Sequence, residues 1–354
     1  MSAAWRQPDY SDCQIPTPGE LLNRLTLLSH FASVDPGDVI KATFQLAQML
    51  APSTTDGNAN SADEYSVLVE LLEMVAALPD KFTECRQADM ENFANSFLQA
   101  VDNILHPSNI ATWTGNQQVE ADTVRIMDAV ESFTAQTARE NCELSLTSHE
   151  DTAAFFEGKY DHIVFRKSRE TPGGFSGLSY SATSARASIT LPPEVFQGVT
   201  DEQVTLLVVL YPSIGDLLDS VPTTTQPSPG STMKVNSAVV TSSGVHQSGQ
   251  AFEKLSVPLC INFTKKNPTF GKEESCVYLS RTESGESQWL TDGCWMNEQR
   301  NGSVHCCCNH MTSFALLSAT ETVEPYHLLL LTYVMCSASC FIILLSALIL
   351  FSVR

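Results

Sequence analysis

The stretch from Leu328 to Val353 holds 26 residues without one charge, and fifteen of them are Leu, Ile, Val or Phe. As a helix, that length spans a hydrocarbon core of ~30 Å. Its insertion is favourable by roughly several kcal/mol, which makes a buried helix of a water-soluble domain the poorer reading. The chain therefore divides into an aqueous part and a membrane part, and everything before residue 328 has to fold beside a bilayer. Arg354 follows the run directly, so the sequence reads as a piece of a longer membrane protein. The start, Met1-Ser2-Ala3-Ala4-Trp5-Arg6, shows no apolar signal-peptide core.

Composition narrows the aqueous part. The 354 residues carry 20 Lys+Arg against 40 Asp+Glu, a net charge of −20. That balance excludes a nucleic-acid partner, because no basic patch offsets phosphate repulsion. An apolar fraction of 43% is too high for a disordered acidic chain. Eleven cysteines point to an oxidising compartment.

The period of the apolar residues then changes along the chain. Thr17-Pro18-Gly19-Glu20 is a capping box with Pro at the first helical position, followed by Leu21, Leu22, Leu25 and Leu28 on one face. Asp35-Pro36 opens a second helix with Val39, Ile40, Thr43, Phe44, Ala47 and Leu50 inward. Further helices are predicted over about 63–78, through Met90, Phe93, Phe97, Val101 and Ile104, and over about 118–139, with a stop at His106-Pro107. Near Cys142 the period drops from 3.6 to 2. Short strands are predicted at 143–146, 162–165, 187–191, 204–210, 237–241, 257–263 and 276–279. Loops rich in Pro, Gly, Ser and Thr separate them, notably 171–174 and 221–231. Helices followed by many short strands indicate an α+β fold: a helical bundle, then an antiparallel β-sandwich.

The chemistry concentrates between Cys276 and Ala319. Cys276, Cys294 and the run Cys306-Cys307-Cys308 precede Asn309-His310-Met311-Thr312-Ser313-Phe314-Ala315-Leu316-Leu317. On a strand, Cys306 and Cys308 face one way and Cys307 the other. Two disulfides to Cys276 and Cys294 fit this pattern better than zinc, whose structural sites show C-x2-C-type spacing. Asn262-Phe263-Thr264 and Asn301-Gly302-Ser303 are glycosylation acceptors.

In His310-Met311-Thr312 the Thr312 hydroxyl is set to attack the preceding Met311 carbonyl through a five-membered ring, giving an ester, with His310 as general base. General-base help is worth roughly 10²–10⁴ in rate, or about 3–5 kcal/mol. Proximity adds about 7–11 kcal/mol and backbone strain ~1–3. The energetics therefore call for a fold that bends the Met311–Thr312 linkage, after which water cuts the ester once. The strand from Thr312 is apolar on both faces, as an interior strand is. Burial of Phe314, Leu316 and Leu317, at about 1.5–3 kcal/mol each, predicts that the halves stay together.

These residues resemble the proteolysis site of adhesion G-protein-coupled receptors, and the whole aqueous part resembles their autoproteolysis-inducing (GAIN) domain. The helices are similar to GAIN subdomain A and the strands to subdomain B. Trp5 to Cys13 is similar to the end of a hormone-receptor motif, Ala100 to Leu105 with Trp113 to the latrophilin branch, and Leu331 to Val334 with Cys336 to a first receptor helix. The resemblance implies segments at 1–14 (motif remnant), 15–142 (subdomain A), 143–320 (subdomain B, with the cleavage motif at 276–319) and 327–353 (a C-terminal transmembrane helix). It gives His310 as base, Thr312 as nucleophile, Met311 as the residue losing its amide, and pairs Cys276–Cys306 and Cys294–Cys308. It makes Thr312 to Leu317 a tethered agonist anchored by Phe314 and Leu317. Three residues depart from the family pattern: Met311 for Leu, Leu279 for Trp and Ser318 for Met. Cys307 and Cys260 are extra, and on the opposite face they are expected to form an added disulfide. Cys13, Cys85 and Cys142 receive no partner.

The expectation is thus a cell-surface receptor segment at the plasma membrane, its N-terminal part extracellular. It cleaves itself once, without turnover and without a cofactor. Expected partners are the membrane, an extracellular protein ligand and, through helices beyond this sequence, a heterotrimeric G protein. The alternatives are a single-span adhesion protein that does not signal and a zinc-stabilised secreted module. The polycystin family shares the cleavage motif, but the motif remnant and the helical part favour the receptor.

Overall fold

The computed structural model describes residues 17–51, 62–82, 86–113, 118–136, 154–199 and 203–321, apart from 226, 229, 247–250, 253, 271–272, 283–285 and 301, together with Tyr333, Met335 and Ser339. The motif remnant at 1–14, Cys13, Cys85, Cys142, Asn301, the strand expected at 143–146 and the remainder of the uncharged run lie outside the described residues. Among the described residues no helix is long and apolar enough to cross a membrane.

Six helices come first: α1 (Pro18–His30), α2 (Pro36–Leu50), α3 (Ala62–Ala77), α4 (Gln87–Ile104), α5 (Pro107–Trp113) and α6 (Val119–Gln136). The Thr17 hydroxyl accepts from Glu20 N and the Glu20 carboxylate accepts from Thr17 N, closing the capping box. Asp35 caps α2 by accepting from Gly37 N at 2.7 Å. Met90, Phe93, Phe97, Val101 and Ile104 form the fully buried stripe of α4. Pro107 follows the end of α4 but also opens α5, because a residue without an N–H is well placed in a first turn.

The strands form two antiparallel sheets. The larger runs β1 (Ala154–Lys159), β2 (Val164–Glu170), β5 (Val204–Tyr211), β7 (Val239–His246), β13 (Ser313–Glu321), β9 (Glu274–Arg281) and β10 (Ser287–Leu290), with β6 (Ser231–Val235) pairing the far half of β13. The smaller runs β11 (Cys294–Arg300), β12 (Ser303–Cys308), β8 (Leu259–Thr264), β4 (Ala187–Leu191) and β3 (Leu178–Ala182).

The helices pack on one another as the expected bundle, and its core runs on into one face of the larger sheet. They cover one face of the larger sheet, so the molecule has three layers and two cores. Leu207, Val209 and Tyr211 of β5 join the helical core, while Leu206, Val208 and Leu210 join the core between the sheets. A chain of rings crosses the first interface: Phe97 stacks on Phe133 at 4.5 Å, and Phe133 meets Phe165 of β2 at 6.0 Å. Strand β13 lies in the middle of this arrangement. Ala315, Leu317 and Ala319 face the helices, and Phe314 and Leu316 face the smaller sheet.

Candidate functional site

The site forms where β12 leaves the smaller sheet and β13 enters the larger one. Three disulfides surround the crossing: Cys276–Cys306, Cys294–Cys308 and Cys260–Cys307. The first ties β9 of the larger sheet to β12 of the smaller. The other two join residues directly opposite each other on β12 and its neighbours β11 and β8. Cys306 and Cys308 point into the core between the sheets, and Cys307 belongs to the opposite face. All six sulfurs lie before residue 311, so none of these bonds spans the Met311–Thr312 linkage.

Residues 309–312 form the connection. Asn309 is gripped by its backbone: its N donates to the Gly293 carbonyl at 2.9 Å, and its own carbonyl accepts from Leu255 N at 2.8 Å. Its carboxamide oxygen lies 3.1 Å from His310 Nδ1. A carboxamide oxygen only accepts, so Nδ1 carries the proton and the lone pair of the neutral ring sits on Nε2. That Nε2 is buried and has no hydrogen-bond partner among the described residues. Burial also holds the imidazole pKa below its ordinary value, favouring the neutral form that accepts a proton. The ring stands edge-on to Tyr278 at 4.3 Å, with Phe314 at 5.7 Å. Gly293 has φ +74°, and a Cβ there would lie 2.3 Å from the Asn309 carboxamide oxygen and 3.2 Å from His310 Nδ1. Only glycine satisfies both the turn and the close approach.

The Thr312 hydroxyl donates to the Leu279 carbonyl of β9 at 3.2 Å, while the Thr312 carbonyl accepts from Ser242 N at 2.9 Å. The hydroxyl is therefore parked on a carbonyl, and attack on Met311 requires it to leave that acceptor. Catalytic contacts are often looser in a resting state than in the reacting one. The Met311 side chain packs on the core between the sheets, where a Cβ on Gly244 would come within 3.0 Å of its sulfur. The expected bend is not visible as left-handed backbone: among the described non-glycine residues only Arg186 has a positive φ.

From Ser313 to Ala319 the strand is buried. Ser313 hydrogen-bonds through its hydroxyl to Thr241 at 2.7 Å. Phe314, Ala315, Leu316 and Ser318 are fully buried, and Leu317 is nearly so. Leu316 N donates to the Ser237 hydroxyl, the Leu316 carbonyl accepts from Asn236 N, and the Asn236 side chain donates to Ser318 Oγ. Ser318, a departure from the family pattern, thus has a dedicated partner.

Asn309, Gly293 and Tyr278 lie within the sequence motif but receive no role from it, and Gly244 lies outside it. The Gly293-Cys294 turn lies inside the motif, but its contact with residue 309 arises only from pairing β11 with β12. Donor atoms of Cys260, His305 and Cys307 lie within 4.8 Å of one another, but two of them are the sulfurs of one disulfide and neither is a thiolate. Asn262 is exposed on β8, opposite His305.

Two family models match the chain. One, described as GAIN subdomain A of AGRL2-4, covers residues 16–138, and the other, described as GPS, GAIN subdomain B, covers 157–322. Human adhesion G protein-coupled receptor E3 is 26% identical over 76% of this chain and 39% of its own length. Rat adhesion G protein-coupled receptor L1 is 22% identical over 90% of this chain and 22% of its own length. The chain therefore spans well under half of these relatives. The full extracellular region of zebrafish Gpr126/Adgrg6 shares the fold over 87% of this chain and 37% of its own, with a TM-score of 0.54 at 16% identity.

Proposed function

This chain belongs to the GAIN-domain family of adhesion receptors, and on that premise we propose that it is the self-cleaving extracellular region of such a receptor. One bond is cut once: the Thr312 hydroxyl adds to the Met311 carbonyl carbon, His310 Nε2 takes the hydroxyl proton and passes it to the amide nitrogen, and the bond from the carbonyl carbon to that nitrogen breaks to free the Thr312 amine. Water then releases Met311 as a carboxylic acid. The observation that carries this reading is the buried, unpartnered and neutral Nε2 of His310, two residues before a hydroxyl that opens a buried strand.

After the cut, the strand from Thr312 to Leu317 is a peptide held in its sheet by packing and ladder hydrogen bonds, and its withdrawal presents a tethered agonist. A plasma-membrane location with this region outside, an extracellular protein ligand and coupling to a heterotrimeric G protein belong to the same proposal for the whole receptor. The test is a denaturing gel of the expressed chain. Two bands are expected, becoming one in Thr312→Ala and in His310→Ala. A cut that persists in Thr312→Ala means that an external protease makes it.

A further inference from the structure

Thr312 has a second side. His310 belongs to the core between the sheets, but the opposite side of Thr312 opens on a cleft between α6 and β9. The cleft has a volume of about 400 Å³ and is lined by Thr312, Ser313, Leu279, Arg281, Asp128 and Glu131, among others. That volume is far more than a single water needs. Thr312 is partly exposed toward this cleft, whereas the residues from Ser313 to Ala319 are buried.

The charges around the cleft are arranged unequally. Asp128 and Glu131 stand three residues apart on α6 and line the same cleft. The Arg281 guanidinium of β9 is hydrogen-bonded to Asp128. Glu131 feels Arg281 only at longer range, and it also feels Asp128. Burial first, and then the Asp128 charge, push the Glu131 carboxyl up to about 7. From β5, the fully buried Tyr211 hydroxyl has no partner among the described residues and feels both carboxylates. From β9, Tyr278 lines the same space, and Glu73 of α3 acts on Asp128. Glu131 is thus the group in this cleft that exchanges a proton near neutral pH.

The two chemical steps make different demands. The shift needs a base beside the hydroxyl, a role His310 fills from the core. Hydrolysis needs a water placed against the new ester and an acceptor for its proton, and the cleft is where water reaches Thr312. We propose that Glu131 is the water-positioning residue of the second step, so that the helical layer completes a site whose nucleophile belongs to the sheets. This rests on the self-cleavage reading above. The water oxygen bonds to the Met311 carbonyl carbon and the bond from that carbon to Thr312 Oγ breaks. One water proton passes by way of the Glu131 carboxylate to Thr312 Oγ, and the other stays on the Met311 carboxyl group until it ionises. Nothing is oxidised or reduced, and Glu131 returns to its starting state.

The experiment follows fragment formation by the full chain, freshly refolded, from pH 5.5 to 8.5, with and without hydroxylamine, which cleaves an ester directly. In wild type the uncatalysed-by-additive cut is expected to rise with pH around 7, because Glu131 must be ionised to accept a proton. Glu131→Gln is expected to slow that cut about tenfold or more and to lose the rise, while hydroxylamine restores wild-type yield. Glu131→Asp is expected to keep part of the rate and the pH dependence. Wild-type rate and pH profile in Glu131→Gln overturn the assignment and leave His310 and Thr312 untouched. A loss that hydroxylamine does not restore also overturns it, because the residue would then be needed for the fold or the shift. No cut in wild type with or without hydroxylamine sinks the self-cleavage reading itself.

Discussion

The two sides of the Met311–Thr312 linkage are held by different means. Upstream, β12 is tied by three disulfides to β8, β9 and β11, which fix the backbone that carries His310. Downstream, β13 has none of these bonds and is held by two apolar faces and its neighbours' hydrogen bonds. The difference separates two tasks. Chemistry needs a base and a carbonyl that do not drift, and covalent ties supply that. A strand that stays after the cut yet can be withdrawn needs strong attachment without a covalent link. Phe314, Leu316 and Leu317 contribute about 1.5–3 kcal/mol each by burial, enough, on the proposed self-cleavage, to hold a cut fragment without fixing it permanently.

The comparison can be broken at its strongest point first. Phe314→Ala opens a cavity in the core between the sheets and is expected to weaken retention of the C-terminal fragment by about 3–5 kcal/mol. The check is the denaturant concentration at which the two fragments separate. Leu317→Ala tests the helix-facing side, with an expected loss of about 2–5 kcal/mol. If neither variant lowers that concentration, packing does not hold the strand. Gly293→Ala acts on the clamped side. Its positive φ costs ~1–3 kcal/mol in strain, and the displaced Asn309 carboxamide no longer fixes the His310 tautomer. The chain is expected to fold and cleave about tenfold more slowly, and an unchanged rate in the folded variant would show that Asn309 does not position the imidazole.

The smallest effect concerns pH. Glu131 is raised in the folded state, so the folded chain holds its proton longer than the unfolded chain. Stability is therefore expected to fall as pH rises from about 4.5 to 7. His310 is lowered, so its contribution falls as pH drops through the ordinary imidazole value. Glu131→Gln removes the first slope, which thermal melts at several pH values measure directly. A slope unchanged in that variant would show that Glu131 does not titrate in this range.

Much of this was legible in the residues. Thr17, Pro18 and Glu20 announced α1 because capping is local chemistry, and the aromatic stripe of α4 followed from its period alone. Pro107 was read only as a stop, although the same ring also starts α5. Strand β1 lacks alternation, β3 alternates over only five residues between turn-rich loops, and β6 emerges from the end of a Pro/Ser/Thr loop because β13 offers it an open edge. That the helices cover the sheet, instead of packing on one another alone, was not visible. Leu207 and Leu206 look alike in sequence and face different cores. At the site, His310 and Thr312 sit in one tripeptide, whereas Asn309 against Gly293 needs a strand pairing. Glu131 lies 181 residues before Thr312 and shares its cleft only through the docking of α6 on β9.

The central claim is that the fold severs one of its own peptide bonds and keeps both pieces. Intact mass spectrometry of the same purified sample under native and denaturing conditions tests it most directly. The account predicts one native species of the full mass that separates, on denaturation, into two chains, the second beginning at Thr312. A single denatured chain of full mass, or a second chain beginning at any other residue, would contradict it.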